Sequence, residues 1–268
     1  MSASNSRAVL ITGAAGGIGR AMVAALLEAG HQVAAMDRDA TALDALRARH
    51  PGHARLHAFR AELATQAGCA ASVAETIAHF GRIDALVNNA GIGVSSLRPD
   101  AETKLPTIEE LDGATWNRFF AINVRAPMLL LRAALPSMRA GLWGRVINNT
   151  TSFRTMLRVL PYGATKAALE SASAIWAEEL AGTGITVNVL IPGGPTDTPF
   201  IADATGWDRA AMLKPAIMGP PLAWLMSADA DGFTGQRIIA ARWTAEAPQY
   251  RAIGWPELGA DAVWLQGG

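Results

Sequence analysis

Short apolar runs alternate with longer segments of helical periodicity along most of the chain. AVLIT (8–12) and QVAAMD (32–37) read as buried strands, and RLHAFRAEL (55–63) holds a third. IDALVNNAG (83–91), RVINNTT (145–151), ITVNVLIP (185–192) and QRIIAARW (236–243) supply four more. Between them, IGRAMVAALLEAG (18–30), TALDALRARH (41–50), QAGCAASVAETIAHFG (66–81), WNRFFAINVRAPMLLLRAALPSMRA (116–140) and PYGATKAALESASAIWAEELAG (161–182) repeat apolar residues at helical spacing. Gly30 suits a helix C-cap and Pro161 a first helical turn. Pro127 and Pro136 are expected to bend or break the fourth helix. Residues 92–113 are polar and irregular, a surface loop. Strands alternating with helices predict an α/β fold, a doubly wound, mostly parallel seven-stranded sheet with helices on both faces and right-handed crossovers. No repeat or linker divides the chain, so one domain over 1–268 is expected.

Composition narrows the class. The chain has 268 residues, half of them apolar, enough for one sizeable core. Its formal charge is zero and no basic block stands out, so neither nucleic acid nor an anionic membrane is an expected partner. Cys69 is the sole cysteine, which rules out an internal disulfide and suits a reducing compartment. The first residues lack the charged and apolar regions of a signal peptide, and no apolar run reaches a membrane span, so a cytoplasmic soluble protein is the expectation.

In such a sheet, ligands bind at the carboxyl ends of the strands. After the first strand comes TGAAGGIG, with Gly13, Ala15, Gly17, Ile18 and Gly19 at a strand–helix junction. Glycines let the backbone approach a pyrophosphate, and the following helix offers unpaired N–H groups and its positive dipole end. Asp37 ends the second strand, where a carboxylate accepts from ribose hydroxyls and repels a 2′-phosphate. No Lys or Arg lies among residues 14–17. Both facts favour NAD over NADP, although Arg38 argues mildly the other way, because guanidinium binds phosphate well. Glu62 and Leu63 follow the third strand, in position to flank an adenine. Asn89, Ala90 and Gly91 follow the fourth, where small residues leave room for a cofactor. Tyr162 and Lys166 are four apart on a helix and share a face. A phenol with a pKa near 10 is a weak base at neutral pH. A nearby ammonium is expected to lower that pKa and fit Tyr162 for acid–base work.

These motifs, with Asn123 in FFAINV and PGGPTDT at 192–198, stand in the order and approximate spacing of the short-chain dehydrogenase/reductase family, which the chain resembles over roughly residues 7–240. The resemblance implies a Rossmann-like domain, a nicotinamide cofactor, and hydride transfer between it and a small alcohol or ketone, usually in a homodimer or homotetramer. It implies Tyr162 as catalytic acid/base and Lys166 as a ligand of the nicotinamide ribose. Asn123 would help hold a water that links Lys166 to solvent. At the sixth strand end, Pro192, Gly193 and Pro195 would line the cofactor, and Thr196 and Thr198 straddle the position of the usual Thr that bonds the nicotinamide amide.

The sequence departs from the family at the substrate-positioning hydroxyl. The usual Ser lies slightly farther ahead of the Tyr than any hydroxyl here. Thr150, Thr151 and Ser152 lie 12, 11 and 10 residues before Tyr162, and residue 149 is Asn. Ser152 is the first choice, with Thr151 or Asn149 sharing the work. The short loop that follows carries Arg154 and Arg158, either of which can meet an anionic substrate group. Residues 199–220 are expected to form a mobile flap in which Phe200, Trp207 and Met212 close on an apolar substrate. The C-terminal extension, 244–268, with Trp255 and Trp264, either packs on a neighbouring subunit or edges its active site. Helix 161–182 is apolar on more than one face, which supports an oligomer. The expected function is an NAD-dependent oxidoreductase of secondary alcohols and ketones. The alternatives are an NADP-dependent carbonyl or 3-oxoacyl reductase and a non-catalytic nucleotide-binding protein. No metal is expected.

Overall fold

The computed structural model describes residues 6–254. Its strands are β1 (Ala8–Thr12), β2 (Gln32–Asp37), β3 (Leu56–Arg60), β4 (Ala85–Asn88), β5 (Gly144–Asn149), β6 (Ile185–Ile191), β7 (Gln236–Ile239) and β8 (Tyr250–Ala252). Its helices are α1 (Gly17–Glu28), α2 (Ala40–Arg49), α3 (Gln66–Phe80), α4 (Gly113–Phe120), α5 (Ala126–Ala140), α6 (Phe153–Met156), α7 (Tyr162–Glu179) and α8 (Gly219–Leu225).

The strands form one sheet in the order β3-β2-β1-β4-β5-β6-β7-β8. The first seven are parallel, and β8 pairs antiparallel with β7. Seven strands were expected from the sequence. The eighth is three residues long, too short to show alternation, and lies inside the presumed extension; Trp255 and Trp264 fall outside the described residues.

Side-chain alternation along the strands divides the core between the two faces of the sheet. Val9 and Ile11 of β1 pack beneath α1 and α8 with Met22, Leu26 and Leu222. Leu10 points the other way, into a second cluster with Leu86, Val146, Leu130 and Met138 from the α5 side. Both faces are covered, so β1, β5 and β6 are buried along their whole length, as a two-sided parallel sheet demands. Capping fixes the helix starts. The Asp39 carboxylate accepts from Ala42 N at 3.0 Å, and Thr65 Oγ1 accepts from Gly68 N at 3.0 Å.

The expected proline bend takes another form. Helix runs from Gly113 to Ala140, with Ala121–Arg125 wound as a π turn and Pro136 inside α5. The π turn lies where the Pro127 ring would otherwise press on the carbonyl four residues back, that of Asn123, and the wider winding gives it room. By length and composition this helix is apolar enough to cross a membrane, which the run-by-run sequence reading missed. Its apolar face, Leu130, Leu131, Ala134 and Met138, is spent on the core.

The chain order reverses between β1 and β4, and this switch point opens at the carboxyl edge of the sheet. The glycine-rich turn, the end of β5 and the start of α7 all face that opening.

Candidate active site

The opening is a cleft of about 1080 Å³. Its lining includes the glycine turn, Asp37, Arg38, Glu62, Leu63, the 89–91 segment, Thr151, Ser152, Tyr162, Lys166 and the residues 192–196 and 198.

At one end, Gly13 holds φ +63°, and a Cβ there would lie 2.8 Å from Ala90 Cα. A Cβ on Gly19 would lie 2.0 Å from the Gly13 carbonyl oxygen. The turn is therefore closed against β4 and its own helix in a way only glycine permits. No side chain caps α1, whose N-cap is Gly16, and its first turn holds no acidic residue. Its leading N–H groups are left to a ligand, and a pyrophosphate fits that donor set.

Asp37 is tied to this turn. Its Oδ2 accepts from Ala15 N at 3.0 Å and its Oδ1 from Arg38 N at 2.7 Å. Arg38 also lines a smaller pocket of about 350 Å³ with Gly93, Pro199 and Phe200. Glu62 Oε1 accepts from Ala64 N at 3.0 Å.

Asn89 lines the cleft, but its side chain is a strut. Its Nδ2 donates to the Thr12 and Gly13 carbonyls at 3.1 and 3.0 Å, and its Oδ1 accepts from Asn149 Nδ2 at 3.0 Å. Thr12 Oγ1 accepts from Ala90 N at 3.0 Å and from Asn89 N at 3.2 Å. The ends of β1, β4 and β5 are thus bolted together below the cleft. Asn123, fully buried in the π turn, is also fully engaged. Its Oδ1 accepts from Ile92 N at 2.9 Å, and its Nδ2 donates to the Ile92 carbonyl and to Thr165 Oγ1, both at 3.0 Å.

Tyr162 opens α7, and Lys166 stands one turn on, as the spacing predicts. The Lys166 ammonium donates to the Asn149 carbonyl at 2.7 Å and lies 5.8 Å from the centre of the Tyr162 ring. Burial pulls its pKa down to about 8. The Tyr162 phenol moves the opposite way from expectation. Burial pushes it up to about 12, partly offset by a hydrogen bond from the Thr151 side chain. The expected lowering by Lys166 is absent: burial dominates the phenol, and Lys166, itself near 8, has already lost its charge at the pH where the phenol would ionise.

Thr151, not Ser152, stands within hydrogen-bonding reach of the phenol. Ser152 caps α6, with its Oγ accepting from Thr155 N at 3.2 Å and sharing a hydrogen bond with Thr155 Oγ1 at 2.9 Å. The hydroxyl of Thr150 is buried and donates to Glu170 Oε2 at 2.7 Å. Arg154 is exposed and lines the cleft; Arg158 is exposed and does not.

The segment 199–220 folds down as a series of tight turns. The Arg209 guanidinium donates to the Ile201 carbonyl at 2.7 Å and to Asp197 at 3.2 Å, stitching its base. The Phe200 ring lies 5.7 Å from the Tyr162 ring, tilted by 56°, and covers Gly93, and Trp207 also lines the cleft. Met212 is buried and lines no part of it. Thr196 and Thr198 are both buried beside the cleft, and Thr198 packs on Gly17.

Sequence reasoning passed over Glu170 and Arg237. Their signal was present: Glu170 continues the i, i+4 row of Tyr162 and Lys166, and Arg237 interrupts an apolar strand. Among the described residues no His/Cys/Asp/Glu group is placed to hold a metal ion.

Comparison with known proteins agrees with this geometry. Residues 7–208 match the family model for short chain dehydrogenases. The cis-4-hydroxycyclohexanecarboxylate dehydrogenase of Sinomonas cyclohexanicum is 33% identical over 246 residues, spanning 87% of this chain and 94% of that protein. The crystal structure of 3-ketoacyl-(acyl-carrier-protein) reductase from Brucella melitensis, complexed with NADH, superposes with a TM-score of 0.72 at 26% identity. It covers 84% of this chain and 93% of that one. A blue fluorescent protein from a metagenomic library, in complex with NADPH, gives 0.70 at 28% identity, covering 84% of this chain and 92% of its own. The chain belongs to the short-chain dehydrogenase/reductase family, a Rossmann-like oxidoreductase family that acts on alcohols and ketones with a nicotinamide cofactor.

Proposed function

We propose that this protein is an NAD-dependent oxidoreductase of a secondary alcohol or its ketone, with Tyr162 as the acid/base. The observation that carries the reading is the convergence of Thr151, Tyr162 and Lys166 on one cleft with the uncapped, glycine-lined start of α1. The glycine turn would hold the pyrophosphate, Asp37 the adenosine ribose and Lys166 the nicotinamide ribose, with Thr196 and Thr198 at the amide. A bound nicotinamide supplies the hydride donor or acceptor and, when oxidised, a positive charge.

The chain's own groups handle the proton. A phenol held near 12 is protonated at neutral pH and is ready to donate to a carbonyl oxygen. Thr151 holds that oxygen beside Tyr162. Lys166, buried and near 8, exchanges its proton close to neutrality and can restore the phenol. Asn123 keeps the floor under Lys166 rigid through Ile92 and Thr165.

Phe200 and Trp207 give the substrate end apolar walls, and Arg154 adds a cation. This supports an apolar alcohol or ketone that bears an anionic group. The relative named for a hydroxycyclohexanecarboxylate points the same way. NADP is the second reading, favoured by Arg38 in the cleft lining and by the NADPH complex among the neighbours. Ile175 on α7 is 62% exposed, which supports a homodimer or homotetramer through that face. Cys69, buried with its thiol pushed up to about 11, suits a reducing, cytoplasmic setting.

The test is a panel of secondary alcohols, with and without a carboxylate, assayed with NAD⁺ and NADP⁺ for the wild type and Tyr162→Phe. Turnover with NAD⁺ that falls about 10²- to 10⁴-fold in the variant supports the reading. Equal turnover in both proteins overturns the role of Tyr162, and preference for NADP⁺ overturns the cofactor.

A further inference from the structure

Behind the end of β5 lies a buried ion pair that the chemistry above does not use. The side chains of Arg237 on β7 and Glu170 on α7 are 1% and 2% exposed, and Arg237 Nη1 meets Glu170 Oε1 at 2.5 Å. Both partners reach on to the hydroxyl segment. Glu170 Oε2 accepts from Thr150 Oγ1 at 2.7 Å, and Arg237 Nη2 donates to the Thr151 carbonyl at 2.5 Å. The Arg237 guanidinium carbon also lies over the Phe153 ring at 4.4 Å, and Arg251 of β8 lies over the same ring at 4.4 Å. Four consecutive residues are involved, and three of them, Thr150, Thr151 and Phe153, are held directly from β7, α7 and β8.

A buried ion pair is a poor way to gain stability, since desolvation takes back much of the attraction. Its geometry is better suited to fixing position. The backbone at Thr151 turns out of the sheet into α6, where strand hydrogen bonds no longer hold it. The loop to Tyr162 is short, so any drift at Thr151 moves its hydroxyl off the phenol directly.

We propose that the Arg237–Glu170 pair, braced through Phe153 by Arg251, is a positioning device that holds the Thr150–Phe153 segment so that the Thr151 hydroxyl faces Tyr162. Arg237 and Glu170 touch no reacting atom and act through Thr151. The short strand β8 acquires a purpose on this view, since it brings the second cation to Phe153. The proposal rests on the reading of Thr151 and Tyr162 given above.

The test uses the full chain with Arg237→Met/Glu170→Gln, which removes both charges together and leaves Thr150 an acceptor. Arg251→Ala, which leaves the buried pair intact, is the second variant, and Thr151→Val is the reference. Melting temperature, NADH affinity, kcat, and hydrogen exchange of the peptide 150–161 are measured for each. The expected result is near-native NADH affinity with kcat down about tenfold or more in the double variant, a smaller fall in Arg251→Ala, and faster exchange in 150–161. Adding Thr151→Val to the double variant should then cost little beyond Thr151→Val alone, because the two changes act through one group. Native kcat and native exchange in both variants would overturn the proposal, as would losses that simply multiply with that of Thr151→Val. If Thr151→Val itself keeps native kcat, the assignment of Thr151 is what fails. The bracing of the segment is then decided by exchange and kcat in the charge-free variant.

Discussion

The Thr151 side chain stands within hydrogen-bonding reach of the Tyr162 phenol, while Ser152, the next residue, spends its hydroxyl on capping α6. The two neighbours therefore separate under mutation. Thr151→Val should lower kcat by about 10²-fold, the scale of losing one positioned donor at a reacting oxygen. Ser152→Ala should leave kcat within a few-fold of wild type and cost about 1 kcal/mol of stability through the lost cap. Steady-state kinetics and thermal unfolding of the two variants check this, and a reversed order would return the role to Ser152.

Lys166 makes the stability of the protein depend on pH. Its folded pKa, about 8, lies below the unfolded value of 10.5, because burial penalises the ammonium. Below pH 8 the charged group is carried at full cost in the fold. As pH rises from 8 towards 10.5 the folded state releases the proton first, and stability is regained. Over that window the wild type should gain up to about 3 kcal/mol relative to Lys166→Met. Tyr162, raised from 10 to about 12, works in the opposite sense, and its stabilising contribution is lost as pH climbs through that interval. Urea unfolding of both proteins without added cofactor at pH 7, 8.5 and 10 checks the first window. A pH-independent difference would mean that Lys166 is not desolvated.

What the sequence disclosed was local in origin. The β1 run and the glycine turn were legible because strand burial and close backbone approach depend on residues next to one another. Tyr162 and Lys166 were legible because helix geometry alone sets their shared face. The choice between Thr151 and Ser152 was not, because it turns on whether α6 forms and claims a cap. The sign of the Tyr162 shift depends on burial of the phenol in the folded cleft and of the Lys166 ammonium beside it. The Arg237–Glu170 pair joins residues 67 apart, and β8 is defined only by its pairing with β7. The pair left a local trace, in the i, i+4 row of Glu170 and in an Arg within an apolar strand, but that the two meet, like the pairing of β8, is a tertiary event that no local pattern encodes.

Asp37 should govern cofactor choice. Its carboxylate is fixed beside the glycine turn by Ala15 N, so a 2′-phosphate there meets a negative charge that cannot swing away. Asp37→Ala removes that charge and leaves Arg38 as the nearest ionised neighbour in sequence. The ratio of kcat/KM for NADP⁺ to that for NAD⁺ should rise by about tenfold or more, equivalent to about 1.4 kcal/mol. Adding Arg38→Ala should take most of that gain away. An unchanged ratio in Asp37→Ala would show that the phosphate is excluded by something other than this carboxylate.

Arg154 should decide between charged and neutral substrates. It is the guanidinium that α6 presents to the cleft, on the segment that ends at Tyr162, whereas Arg158 lies outside. A charge-assisted hydrogen bond to a substrate carboxylate is worth about 1.5–3 kcal/mol, so Arg154→Ala should raise KM for a carboxylate-bearing alcohol about ten- to a hundredfold. kcat should change little, because the contact is made equally in the ground and transition states. KM for the corresponding neutral ester or amide should not move, and Arg158→Ala should leave both substrates unaffected. The comparison needs only initial rates on a matched acid and amide pair. Equal effects of Arg154→Ala on both members would place the guanidinium in solvent and remove the anionic group from the description of the substrate.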